Sequence, residues 1–292
     1  MGTAVVTGAR GIGYEVGRGL ARAGLRVIFG VRNVEVGERA AHAIRSEYGG
    51  ADVTAELLDL ADLSSVAAFG TRLRERHDRI EVLVNNAGVV LTLERQTTAD
   101  GFELHFGTNH LGHFALASAL LPLLRAADAP RVVVVGSLAH RRADIDFDDL
   151  QAERSYRRMR AYGQSKLANL LFMTELQRRS DAGGWGVIST GAHPGFARTE
   201  AILRPDDSLA KRGFSKVMSP LIPTAESAAR PIVFAATSTD VTPAGYYGPS
   251  GPGEIGGRVG PAKLAARAQD PILARRMWDV SEALAAVSFV TD

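Results

Sequence analysis

No cysteine occurs anywhere in the 292 residues. That absence removes disulfide scaffolds, thiolate metal sites and cysteine nucleophiles together, and it suits a reducing compartment. A charge excess is lacking too: 34 basic against 32 acidic side chains leave a formal net charge of +2. A nucleic-acid surface normally carries a larger or more clustered excess. The densest basic cluster, Arg157, Arg158 and Arg160 beside Tyr156, reads as a solvated face. Long apolar runs are missing as well. The longest, Phe114–Leu124, is shorter than a bilayer span and runs into Arg125. Met1–Thr7 has neither a cationic start nor an extended apolar stretch, so no targeting segment or membrane anchor is expected. The expectation is a soluble, cytoplasmic protein. What is present, 46% hydrophobic and 23% charged residues, excludes disordered and fibrous chains.

Short β-branched runs alternate with longer segments of helical periodicity as far as about Gly195. Strands are predicted over Ala4–Thr7, Val27–Gly30, Val53–Leu58, Val82–Asn85, Val132–Gly136 and Val187–Gly191. Helices are predicted over Tyr14–Ala23, Val34–Tyr48, Leu63–His77, Gly101–Leu124 and Ala161–Ser180. Strand runs that are apolar without alternation are buried on both faces, as in a parallel sheet. The expected fold is α/β: a single-domain, doubly wound parallel sheet of about seven strands with helices on both faces. No linker and no repeat divides residues 1–292. A substrate-covering segment is placed at about 195–225 and a C-terminal extension at about 248–292, with Leu264–Ala286 returning to helix. Ligands in such a sheet sit beyond the carboxyl ends of the strands.

Thr7-Gly8-Ala9-Arg10-Gly11-Ile12-Gly13 follows the first strand and opens the first helix. Glycines let the backbone turn sharply and approach a diphosphate, whose charge meets the N–H groups of the helix start. At the start of a βαβ unit this reads as nucleotide binding. The second strand ends Phe29-Gly30-Val31-Arg32, without the carboxylate that would hold a ribose 2′-hydroxyl. Arg32 and Arg10 instead offer two guanidiniums suited to a 2′-phosphate. The expected cofactor is NADP(H) rather than NAD(H).

Tyr162 and Lys166, four apart at the start of a predicted helix, share one face. An ammonium beside a phenol favours the phenolate, so the tyrosine pKa is expected to fall and make Tyr162 a usable acid or base. Ser137 closes the fifth strand, Asn85-Asn86-Ala87-Gly88 closes the fourth, and Asn109 lies between them, all at the predicted crevice. His110 and His113 lack the companions of a metal site and read as packing; no metal is expected. His140 and His193 lie nearer the crevice, as substrate contacts or as structural histidines. A serine hydrolase is disfavoured because Val135-Gly136-Ser137-Leu138-Ala139 lacks the second glycine of a nucleophile elbow.

Taken together, the Thr-Gly-x-x-x-Gly-x-Gly turn, Asn-Asn-Ala-Gly, Ser137, Tyr-x-x-x-Lys and the later Pro194-Gly195 closely resemble a short-chain dehydrogenase/reductase of the single-domain Rossmann type. The resemblance covers nearly the whole chain. It implies Tyr162 as general acid/base, Ser137 on the substrate oxygen, Lys166 on the nicotinamide ribose and Asn109 supporting a water in the proton relay. It also implies cofactor contacts from Gly8, Gly11, Ile12 and Gly13, from Asp59 with Leu60 beside it (adenine), and from Asn85, Ala87, Gly88, Pro194, Gly195 and Thr199. Arg32-Asn33, Ser137-Leu138-Ala139-His140 and Leu273–Ser281 are similar to the retinol dehydrogenase and protochlorophyllide reductase-like branch. Gly136 stands where that branch often has a second serine.

The activity so implied is NADP(H)-dependent interconversion of a carbonyl and its alcohol. The alternatives are an NADP(H)-binding tailoring enzyme doing a redox-neutral or rearrangement step, and a non-catalytic NADP(H) sensor. Phe196, Ile202, Leu203, Phe214, Met218 and Leu221 give the covering segment an apolar character that suits a bulky hydrophobic ketone or aldehyde as small-molecule partner. Neither nucleic acid nor membrane is expected as partner. The resemblance implies pairing of two copies through the helices at Gly101–Leu124 and Ala161–Ser180.

Overall fold

All six predicted strand runs form, with ends shifted by a residue or so: β1 (Thr3–Thr7), β2 (Arg26–Val31), β3 (Val53–Leu57), β4 (Val82–Asn85), β5 (Arg131–Val135) and β6 (Ile188–Ala192). The computed structural model describes residues 1–90, 92–195 and 223–289. Two further strands, β7 (Tyr246–Pro249) and β8 (Val259–Pro261), complete an eight-stranded sheet in the order β3-β2-β1-β4-β5-β6-β7-β8. Every pairing is parallel except β7 with β8, which is antiparallel. The glycine- and proline-rich stretch after Tyr246 thus supplies both extra strands, and a short connection reverses the last one.

Both faces are covered because side chains alternate across each strand. Val5, Ile28, Leu83, Val132 and Val134 pack beneath α3 (Leu63–Arg76), α4 (Gly112–Arg125), α5 (Arg158–Gly183) and α7 (Pro271–Ala285). Their neighbours Val6, Phe29, Val84, Val133 and Val135 face α1 (Ile12–Arg22), α2 (Val34–Glu47) and α6 (Ala225–Thr237). Burial on two sides explains why these strands lack a polar face.

Capping sets several boundaries. Asn33 accepts from the Val36 N–H, Asp62 from Ser64 and Ser65, and Asp270 from Ile272 and Leu273. The Asp270 cap and Pro271 in the first turn start α7 later than Leu264, where the periodicity placed it. Gly101, at φ +86°, lies outside helical geometry, so the helix predicted from that residue begins later. The buried Glu103 carboxylate takes the N–H groups of His105 and Phe106. A π turn, Phe106–Leu111, follows and runs directly into α4. Helix α6 lies beyond the predicted helices; Thr224 caps it through the Ser227 N–H. The extension docks by aromatic contacts, Trp278 lying 5.0 Å from Phe114 and 5.8 Å from Phe172 between ring centroids. Among the described residues no helix is long and apolar enough to cross a membrane.

Candidate active site

β1 and β4 are neighbours although two strand–helix units separate them in sequence, so the connections leave the sheet in opposite directions there. A crevice therefore opens at their carboxyl ends. The glycine turn lies on one side of it. Gly8 (φ +83°) and Gly11 (φ +52°) adopt backbone geometry that side chains disfavour, and a Cβ on Gly13 would lie 2.3 Å from the Gly8 carbonyl oxygen. No side chain caps the first N–H groups of α1. A tight backbone cradle ending in uncapped N–H groups is what a diphosphate requires. Arg10 and Arg32 are both exposed, and neither forms an ion pair among the described residues.

The remaining cofactor candidates divide. Both amide atoms of Asn85 are buried without a partner among the described residues, a polar arrangement open to a ligand. The Ala87 N–H is held by the Thr7 hydroxyl at 2.9 Å. Beside it, a Cβ on Gly88 would stand 3.1 Å from Asn109 Oδ1 and 3.8 Å from Lys166 Nζ. Asp59 and Ile12 are half-buried, Asp59 accepting from the Ala61 N–H. The Leu60 side chain is different: it packs in the apolar core. Pro194 and Gly195 (φ +69°) follow β6 at the crevice edge, and Thr199 lies outside the described residues. As a set, the open cradle and the orphaned Asn85 amide fit a nicotinamide dinucleotide.

Across the crevice the chemical groups converge. The Ser137 hydroxyl lies close enough to the Tyr162 phenol to favour its ionised form, and it accepts the Ala139 N–H at 3.2 Å. Lys166, one turn along α5, is only 5% exposed. Its ammonium donates to the Val135 carbonyl at 2.9 Å and stands 6.0 Å from the Tyr162 ring centroid. Asn109 sits in the π turn, where its side chain accepts from the Val89 N–H (2.7 Å) and donates to the Val89 carbonyl (3.1 Å) and Ser165 Oγ (3.0 Å). Ser165 in turn donates to the Tyr162 carbonyl at 2.8 Å.

The expected fall in the tyrosine pKa is corrected here. Burial raises the Tyr162 phenol above its ordinary value, and the Ser137 hydroxyl only partly opposes that. Lys166 does not counter it: burial also lowers the ammonium, to about 8, and one of its N–H groups is spent on the Val135 carbonyl.

Three buried histidines escape a motif reading, each bonded to the main chain of a site residue. His113 Nδ1 donates to the Asn109 carbonyl at 2.9 Å. His140 Nδ1 donates to the Ser137 carbonyl, while its Nε2 accepts the Ala265 N–H at 3.2 Å. His193 Nδ1 accepts the Gly195 N–H at 3.1 Å, and its Nε2 lies 2.9 Å from Glu254, which also pairs with Arg141 at 2.6 Å. His110, by contrast, is bonded to Ser281 Oγ at 2.7 Å and belongs to the packing between the π turn and α7. His140 and His193 stand near the crevice as expected, in structural roles, whereas for His113, read from the sequence as packing, only its four-residue spacing from Asn109 hints at their contact. Among the described residues no three His, Asp or Glu side chains are grouped to hold a metal.

Comparison with known proteins agrees with this arrangement. The family model "short chain dehydrogenase" matches residues 2–206. Human retinol dehydrogenase 13 is 39% identical over 97% of this chain and 84% of its own length. A crystal structure from Mycobacterium paratuberculosis covers 100% of the chain and 96% of its own at 38% identity and a TM-score of 0.82. The Pseudomonas aeruginosa RhlG/NADP active-site complex is 27% identical, covering 82% of this chain and 91% of its own, with a TM-score of 0.64. Sequence, fold and crevice thus converge: the chain belongs to the short-chain dehydrogenases, in their retinol dehydrogenase-like branch, and is an oxidoreductase acting on CH–OH and C=O groups.

Proposed function

We propose that the protein interconverts a bulky hydrophobic ketone or aldehyde and its alcohol with NADP(H). The observation that carries this reading is the juxtaposition of the Ser137 hydroxyl and the Tyr162 phenol at the carboxyl edge of the sheet, with a dehydrated Lys166 one turn along α5. A phenol and a hydroxyl so placed address one oxygen together. Ser137 donates to that oxygen and fixes its direction, and Tyr162 gives it a proton in reduction or takes one in oxidation. Burial holds Tyr162 in its protonated form, so the chain presents a ready acid for carbonyl reduction.

Bound along the glycine turn, the nicotinamide dinucleotide supplies hydride. Gly8, Gly11 and Gly13 admit its phosphates, Asn85–Gly88 and Pro194–Gly195 flank it, and Lys166 is the residue to hold its ribose. Arg10 and Arg32 favour the 2′-phosphate because each stands exposed and no carboxylate directly follows β2.

Exposed apolar side chains close in sequence to groups of the site support the apolar substrate class. Leu93, Met159 and Ile255 are 79%, 55% and 43% exposed. Each neighbours a group close to the site: Thr92 held by Tyr156, Tyr162 three residues along α5, and Glu254 paired with His193. The covering segment adds further apolar residues by composition. NADPH consumption is the test, measured against cyclic, aromatic and isoprenoid carbonyls with alcohol product identified. Turnover only on small polar carbonyls overturns the substrate class, and equal use of NADH overturns the cofactor preference. Product without NADPH consumption indicates the redox-neutral alternative.

A further inference from the structure

The Thr7 hydroxyl is fully committed. It accepts the N–H groups of Asn86 and Ala87, each at 2.9 Å, which takes both of its lone pairs. Its single proton is therefore left to donate, and of the two acceptors in reach His113 Nε2 at 2.9 Å is nearer than the Val84 carbonyl at 3.3 Å. The other end of the ring agrees. A carbonyl only accepts, so the bond from Nδ1 to the Asn109 carbonyl fixes the hydrogen on Nδ1 and leaves Nε2 as the acceptor. Burial, with Lys166 adding to it, keeps the ring neutral by lowering its pKa to about 4.

From there the path passes through Asn109 itself, from its main-chain carbonyl to its side-chain amide. Asn109 clamps Val89 through both amide atoms and donates to Ser165, and Ser165 donates to the Tyr162 carbonyl. Two hydrogen-bonded stretches, Thr7–His113–Asn109 carbonyl and Asn109 amide–Ser165–Tyr162 carbonyl, are thus joined through the covalent frame of Asn109. The histidine is the member of the path whose two ring nitrogens serve different ends of the crevice.

We propose that His113 is a positioning residue that couples the dinucleotide-binding turn to the catalytic centre: Nε2 sets the Thr7/Asn86–Gly88 side, and Nδ1 sets the Asn109 carbonyl on the catalytic side. The inference rests on the dinucleotide-dependent reading given above. It predicts that the two functions can be separated by substitution. In His113→Asn the amide nitrogen stands near the position of Nδ1, so the donor to Asn109 is kept and the Thr7 contact is lost. In His113→Gln the longer amide reaches toward Thr7 and the donor to Asn109 is lost.

The experiment is a fluorescence titration with NADPH, paired with steady-state turnover on a carbonyl that the unaltered protein reduces. His113→Asn is expected to weaken NADPH binding by about tenfold, the loss of one well-placed hydrogen bond, with kcat within about threefold. His113→Gln is expected to reverse the split, with kcat down about tenfold and NADPH binding within about threefold. Thr7→Val, isosteric but without the hydroxyl, is expected to follow His113→Asn and serves should a His113 variant not fold. Variants that change both parameters alike, or that lower only the melting temperature, overturn the coupling role. Unaltered protein that neither binds NADPH nor consumes it refutes the functional reading itself, and the inference with it.

Discussion

At the glycine turn the charged groups stand in water, whereas at the catalytic end they are dehydrated. Arg10 and Arg32 are exposed, while Lys166 is 5% exposed and His113, His140 and His193 are buried. Exposed guanidiniums attract a phosphate by charge, and that attraction weakens with added salt. Buried groups act through fixed geometry, and their protonation states are set by the cost of burial. On the proposed function, one crevice thus meets its cofactor with solvated charge and performs its chemistry with immobile, mostly neutral groups.

The largest expected consequence of this contrast is in acid. His113 and His193 titrate at about 4 and His110 at about 3 in the folded protein, each lowered chiefly by burial from an ordinary value of 6.5. Below pH about 6.5 the unfolded chain binds protons that the folded one refuses. Their contribution to stability is therefore complete above that pH and falls as pH drops toward 4. Thermal melts across this range check it; a melting temperature unchanged from about pH 7 to about pH 5 breaks the contrast.

Next in size is Tyr162→Phe, which removes the proton donor and leaves the ring and the glycine turn in place. Turnover is expected to fall by roughly two orders of magnitude or more, with NADPH binding retained. Near-normal turnover removes Tyr162 from the chemistry. The smallest effect belongs to the solvated end. Arg10→Ala and Arg32→Ala are each expected to weaken NADPH binding by about tenfold, to leave NADH binding unchanged and to lose their effect at high salt. Equal losses for both dinucleotides would deny the arginines a role in selecting the 2′-phosphate.

The legible parts of the fold were those with a local physical cause. Val132–Val135 reads as a strand because it is β-branched throughout and buried on both faces. Tyr162 and Lys166 were legible through helical spacing, and Ser137 through its place at a strand end. The π turn at Asn109 was not, because it depends on Glu103 lying buried where it can take the His105 and Phe106 N–H groups. The direction of the Tyr162 shift is hidden from the sequence for a related reason. Spacing reveals that an ammonium is near, but only the packed structure shows that burial sets the direction of the shift and that the ammonium donates to the Val135 carbonyl.

Residue order and apolar patterning by themselves marked the strand and helix runs, the glycine turn and the candidate reacting side chains, since each shows within a few residues. The tertiary structure alone decided which protons those side chains carry and what holds them still. Thr7 and His113 are 106 positions apart and meet at 2.9 Å, and both dehydration and long-range hydrogen bonding exist only once distant segments have closed over one another.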